Sequence, residues 1–295
     1  MDPPLVTAVM TGGLFSAWTS PSDVAYDAPL ANCSMIEGSD TTWTAVATDN
    51  CASASQLTYR WRFSDGGIAF GRIAHHVFQD NGIYTAELRV TDPAGNTAIA
   101  NVDDITPIVI SNANPSVNTP PNKAAEWGDV VQYHADAVDP GSVDQPTLSF
   151  LWTFGDGSSA SGRDVSHAFA TPGSYSGSVA VSDKDGGLGS GSFTTAIGKR
   201  ATTLVYTGAI QSLPSKTISL SATLTDDHGQ PVVGRLISYI LGAQSASAAT
   251  NAAGLSSVNL LLNQKQGTYP LSATFAGDSL YLANAVSGTF LVGKK

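Results

Sequence analysis

Two cysteines, Cys33 and Cys51, are all that the 295 residues contain. Without a second pair, a zinc site of the Cys-x-x-Cys kind is excluded. Their separation of 18 positions leaves two readings. A disulfide closing the loop is worth about 3 kcal/mol and suits an oxidising compartment; the alternative is two free buried thiols. Charge is also scarce, at 13% of residues against a usual level of about 25%. Long exposed helices need more Glu, Lys and Arg than this, whereas short strands joined by tight turns do not. No apolar run reaches the 18 residues of a membrane-crossing helix. Met1-Asp2-Pro3-Pro4 has neither the basic start nor the apolar core of a signal peptide, so the chain reads as a part cut from a larger protein carrying further domains. No HExxH, GxSxG or P-loop pattern occurs, which argues against an enzyme. Basic clusters with interleaved aromatics are missing too, so nucleic acid is a poor partner.

The charge that is present is uneven. Residues 1–198 hold 7 Lys and Arg against 21 Asp and Glu, and residues 199–295 hold 7 against 3. The acidic part suits bound cations or simple solubility, and the break near 198 marks a module boundary.

An internal repeat with an offset of 91 dominates the acidic part. Tyr59-Arg60-Trp61-Arg62-Phe63-Ser64-Asp65-Gly66 matches Phe150-Leu151-Trp152-Thr153-Phe154-Gly155-Asp156-Gly157. The same offset carries His76 to His167, Phe78 to Phe169, Gly82 to Gly173, Tyr84 to Tyr175 and Asp92 to Asp183. Tyr59, Trp61 and Phe63 alternate with polar neighbours, as do Tyr84, Ala86, Leu88 and Val90, so each run predicts a strand with one buried face. Asp65-Gly66 and Asp156-Gly157 end their strands in turns that glycine enters readily. After Lys199-Arg200 the pattern changes: Ile218 to Leu224, Ile237 to Leu241, Val258 to Leu262 and Tyr269 to Phe275 each alternate as strands. The whole chain is therefore predicted all-β, as three tandem antiparallel sandwiches over residues 1–106, 107–198 and 199–295. Residues 1–30 read either as an extra strand of the first module or as the end of a preceding one. Asn114-Pro115 and Pro120-Pro121 predict stiff links, because the residue before proline favours extended backbone.

Trp152-Thr153-Phe154-Gly155-Asp156-Gly157, with His167-Ala168-Phe169 and Pro172-Gly173-Ser174-Tyr175 after it, closely resembles the PKD (polycystic kidney disease) domain. The first copy departs from this hallmark at Arg62 and Ser64 and adds the two cysteines. The resemblance implies an immunoglobulin-like sandwich of a secreted or cell-surface protein. Ser221-Ala222-Thr223-Leu224-Thr225-Asp226 and Tyr269 to Asp278 are similar to the bacterial Ig-like repeat of surface adhesins. Together these resemblances imply a non-catalytic structural or adhesive spacer. The rival is an accessory module of a secreted hydrolase that grips polysaccharide or fibrous protein.

Some PKD domains bind calcium between the loop after the second strand and the last hairpin. The matching positions are Asp49, Asn50, Asp92 and Asn96 in copy one, and Asp139, Asp183 and Asp185 in copy two. The competing reading is that these residues only shape turns. Asp183-Lys184-Asp185-Gly186 fails as an EF-hand, because Thr194 stands where its bidentate Glu belongs. His76 and His167 read as half-buried residues bonded to a loop. Trp61 and Trp152 read as core. Trp127, in the Glu126-Trp127-Gly128-Asp129 turn, is the best candidate for an exposed, sugar-stacking platform.

Overall fold

The computed structural model describes residues 5–11, 35–49, 52–101 and 107–294, with 5–11 and Ala54 described as backbone only. Cys33, Asn50 and Cys51 lie outside the described residues, so the disulfide and one expected calcium ligand are not addressed. Among the described residues every regular element is a strand apart from single 3₁₀ turns.

In module one, Ile68–Phe70, Thr58–Phe63, Ala86–Thr91 and Thr97–Asn101 form one sheet in that spatial order. Opposite it, Asp40–Thr48 lies between Leu5–Thr11 and Ile73–Val77. Leu5–Thr11 is thus an extra strand of module one. Ile108–Ser111 pairs antiparallel with Gly82–Tyr84 and parallel with Met35–Ile36. Module one therefore extends to Ser111, beyond the expected boundary at 106, because Ile108 and Ile110 alternate into its core.

Module two repeats this plan with a five-stranded sheet that includes Ser149–Thr153, Gly173–Ser182 and Leu188–Gly198. The 91-residue register breaks in the last strand. Gly82 faces Ile110, while its equivalent Gly173 faces Ile197, so the offset falls to 87 and module one carries four extra residues ahead of Ile108. Module three has sheets of three and five strands, the larger centred on Leu236–Leu241, Gly267–Phe275 and Asn284–Val292.

The two hallmark tryptophans are fully buried. The Trp61 indole N–H donates to the Gly71 carbonyl at 3.2 Å and that of Trp152 to Gly162 at 2.8 Å. Both glycines have positive φ, of 100° and 126°, which a residue with a Cβ takes up only under strain. Trp43 is fully buried too, its ring centre 6.0 Å from that of Trp61. Replacing any of the three with Ala would cost about 3–5 kcal/mol.

A feature shared by all three modules is a tyrosine whose hydroxyl donates to the carbonyl four residues back. Tyr84 reaches Asp80 at 2.8 Å, Tyr175 reaches Thr171 at 2.6 Å and Tyr269 reaches Lys265 at 3.0 Å. Each stands two places after a glycine that its ring covers. This is the tyrosine corner of immunoglobulin-like sandwiches. It ties module three to the same architecture.

Candidate functional site

The two repeated histidines sit on scaffold. His76 Nε2 lies 2.7 Å from Asp65 and its ring stacks on Phe63 at 4.0 Å. His167 does the same with Asp156, at 2.7 Å, and Phe154, at 4.3 Å. Burial opposes the Asp156 charge, but the Ser158 hydroxyl and N–H and the His167 ring outweigh it, and its pKa is held down at about 2. These pairs lock the hallmark turn to a neighbouring strand. An open groove on module two, lined in part by Gln145, Phe150, Ser161 and Arg163, has Arg163 as its one ionisable side chain.

The denser chemistry lies where modules meet. In module one the strand Met35–Ile36 ends in a turn at Glu37-Gly38, where the Glu37 N–H donates to the Ser111 carbonyl at 3.1 Å. Gly38 has φ of 70°, and a Cβ there would come within 2.0 Å of the Pro140 carbonyl oxygen, so only glycine permits the close approach of module two. Glu37 is fully buried and accepts from the Ala113 N–H at 2.7 Å. Around it gather Asp80 from module one and Asp139, Asp144, Asp183 and Asp185 from module two. Glu37, Asp80 and Asp144 each bring a carboxylate oxygen within 4.8 Å of the others. Lys184 Nζ is 2.7 Å from Asp80 and 2.7 Å from Asp144, and also bonds Asp185. Asp144 Oδ1 is held by this ion pair, while Asp144 Oδ2 is buried without a hydrogen bond. Glu37 Oε2 and Asp139 Oδ2 are buried in the same state. Burial, then the neighbouring Asp144, pushes the Glu37 carboxyl up, and burial also raises Asp139. Asp144, Asp185 and Asp80 in turn push the Lys184 ammonium up.

The residues expected to hold calcium are only partly brought together. Asp92 accepts from the Asn96 N–H and side-chain amide, at 2.8 and 2.7 Å, and Asp49 accepts from the Ala52 N–H at 2.7 Å. These bonds shape turns. Asp183 is a hairpin brace: burial opposes its charge, yet the Gly187 and Asp185 N–H groups and the Asn112 amide lower its pKa. Asp185 pairs with Lys184. Of the expected set, Asp139 alone keeps a buried unpartnered oxygen among the described residues. Glu37, Asp80 and Asp144 were missed, because carboxylates contributed by two modules show no common spacing.

The second joint uses the same seat with different chemistry. Glu126 faces Gly198 as Ile36 faces Ser111, so Trp127-Gly128 is the equivalent of Glu37-Gly38. The Trp127 N–H donates to the Gly198 carbonyl at 2.9 Å, and Gly128 has φ of 89°. Trp127 is not a free platform. It is half-buried, donates its indole N–H to Ala170 at 2.9 Å and meets Tyr281 of module three edge-on at 5.3 Å. The sequence could not show that a neighbouring module covers it. Arg200, with 5% of its side chain exposed, bonds the Trp127 carbonyl at 2.7 Å, Asp227 at 3.0 Å, Asp129 and a ring nitrogen of His228.

The family model of the PKD domain matches residues 27–107 and 112–197, more than half of the chain. The chain belongs to the PKD-domain family. Its two PKD modules are followed by the Ig-like module described above. Several solved structures also align. One is the tetra-tandem repeat in the extending region of a large adhesion protein, at 15% identity over 87% of this chain and 71% of that one, with a TM-score of 0.36. Another is a 1.5-MDa bacterial ice-binding adhesin, at 14% identity over 100% and 99%, with a TM-score of 0.30. The three N-terminal domains of the outer capsid protein Hoc of bacteriophage RB49 align at 14% identity over 89% and 96%, also with a TM-score of 0.30. At these scores the alignments carry no argument about role. No helix among the described residues is long and apolar enough to cross a membrane.

Proposed function

We propose that this tandem of two PKD modules and one Ig-like module is a non-catalytic spacer of a secreted or cell-surface protein, holding other domains at a set distance and contributing adhesion. PKD and Ig-like modules are generally non-catalytic. The observation that carries the reading is that both joints are knit by buried ionisable side chains, Glu37 at the first and Arg200 at the second. Contacts of this kind restrain the motion that loosely linked modules otherwise have. Small-angle X-ray scattering of the whole chain is the test. A spacer gives an extended profile fitted by a single arrangement of modules; a profile that only a broad ensemble of arrangements fits would remove the reading.

One surface favours the rival reading of a binding module. The solvent face of the first four-stranded sheet carries Arg60, Arg62 and Arg89, with Glu87 across from Arg62, beside exposed Ile68, Phe70 and Ile99. Arg60 stands directly across from Arg89, an arrangement of like charges that costs stability unless an anion joins them. The corresponding face of module two presents Leu151, Thr153 and Ala180. An acidic polysaccharide or acidic protein segment fits the arginine face. A glycan array rich in uronic-acid and sulfated glycans tests it; binding that survives Arg60→Ser with Arg89→Ser would refute this assignment.

A further inference from the structure

We infer that the joint between the two PKD modules is a divalent-cation site shared by both, with Glu37, Asp80 and Asp144 as its ligands, Asp139 at its edge and calcium as its occupant. Glu37 and Asp80 belong to module one and Asp144 to module two, so the bound ion is a bond between modules. This is distinct from a site held within one module by Asp139, Asp183 and Asp185, because Asp183 spends its oxygens on the hairpin backbone and Asn112, and Asp185 is paired with Lys184.

Geometry and charge both support it. Three carboxylate oxygens lie within 4.8 Å of one another, the span that two oxygens reach across an ion at calcium's bond length of about 2.4 Å. Three buried carboxylate oxygens there, Glu37 Oε2, Asp139 Oδ2 and Asp144 Oδ2, have neither a hydrogen bond nor an ion pair. An orphaned buried charge is expensive, and a cation offsets that cost directly. An all-oxygen, carboxylate donor set selects a hard ion, and calcium tolerates irregular geometry better than magnesium does. Gly141 preserves the space: a Cβ there would stand 2.8 Å from the Glu37 carboxyl carbon and 3.0 Å from Asp144 Oδ2.

The second joint carries a smaller excess of negative charge. There one buried guanidinium meets two carboxylates, Asp129 and Asp227. At the first joint the single ammonium of Lys184 faces Asp80, Asp144 and Asp185, with Glu37, Asp139 and Asp183 packed nearby. The Asn81 amide, turned so that its nitrogen faces them, adds 2.9 Å bonds to Asp80 and Asp185 but no charge. Lys184 is about one-third exposed, so it can swing toward solvent with Asp185 when an ion enters. The inference goes beyond the spacer reading: a chain indifferent to calcium leaves that reading standing, whereas a loose scattering profile with and without calcium removes it.

The test is thermal melting of the full chain in millimolar CaCl₂, in MgCl₂ and in EGTA at matched ionic strength, joined to calcium titration calorimetry. Extracellular modules commonly bind at roughly 10⁻⁴ to 10⁻³ M. Calcium should raise the melting of modules one and two together by a few degrees, with a weaker effect of magnesium. Asp144→Asn should raise the melting temperature in EGTA, by removing a buried like charge, and weaken calcium binding at least tenfold. Asp80→Asn, at a half-buried position on module one, should weaken it as well. Lys184→Gln should melt lower in EGTA and be restored by calcium. A wild-type chain indifferent to calcium, or Lys184→Gln not rescued by it, would show that Lys184 and bound protons neutralise the cluster. Calcium binding that survives Asp80→Asn and Asp144→Asn but is lost in Asp183→Asn would place the ion inside module two and overturn the shared site.

Discussion

Arg200→Ala tests whether charge, rather than shape, holds the second joint. The guanidinium makes four contacts, to the Trp127 carbonyl, Asp129, Asp227 and a ring nitrogen of His228, each worth about 1.5–3 kcal/mol before solvation is counted. The carboxylates left behind are about one-third exposed, at 33% and 36%, and regain water, so most of that gross value is returned. The net loss is about 2–3 kcal/mol, at the low end for breaking a buried pair. Spread over modules two and three, it lowers their melting by roughly 5 °C or more in scanning calorimetry of the full chain. The contribution has a defined pH dependence. The Arg200 bond holds the Asp129 carboxyl below its ordinary range, and it does the same for Asp227 against the opposing effect of burial. A depressed acid contributes stability that is complete above its unfolded value of about 3.9 and fades as pH falls through the folded one. The gap between wild type and Arg200→Ala should therefore be full at pH 7 and shrink by pH 3. Pairing Arg200→Ala with Asp129→Ala should show a coupling of at least about 1 kcal/mol. A gap of equal size at both pH values, with no coupling, would mean that Arg200 acts through its apolar stem.

The remaining predictions concern single modules. Asp156→Ala should destabilise module two by about 2 kcal/mol at pH 7, since it removes acceptors for Ser158 and His167; because the Asp156 pKa is held at about 2, urea melts should show this difference fading as pH drops from about 4 to 2. Tyr175→Phe removes the corner hydroxyl that bonds Thr171 and should cost about 1 kcal/mol, measured as a lower denaturation midpoint with an unchanged slope. Cys33 and Cys51 should form a disulfide in protein folded under oxidising conditions; an intact mass showing two free thiols would exclude it.

The sandwich strands were legible because alternation in an antiparallel strand reports directly on which side is buried. Tyr59, Trp61 and Phe63 point inward as their spacing requires, and Leu220 and Leu224 do so in module three. The strand Ile108–Ser111 escaped because four inserted residues shift it out of the 91-residue register, past the boundary expected at 106. Of the calcium positions carried over by resemblance, Asp139 lies at the joint, while Asp92 and Asn96 satisfy each other. Glu37 and Trp127 were opaque, because what surrounds them belongs to the next module. A usable signal was nevertheless present. Each is followed by a glycine, at Gly38 and Gly128, and the offset of 90 between those glycines departs by one from the repeat. Gly-x-Tyr at 82–84, 173–175 and 267–269 likewise announces that module three shares the corner of the other two.

The seat at Glu37-Gly38 and Trp127-Gly128 has a consequence for how such a chain can be assembled. Both modules offer their successor the same backbone socket, but the side chain in the socket differs, an acid in one and an indole in the other. The two sockets therefore make different demands: the first asks for a module whose opening segment can cap or neutralise a carboxylate, the second for one that begins with an arginine and brings a tyrosine to the ring edge. The order of modules is written into one residue per joint. Exchanging modules two and three would bring Arg200, which pairs with carboxylates in its own joint, to Glu37, but would leave Trp127 without the tyrosine that covers its edge, so a shuffled chain would keep its three cores and lose the second joint.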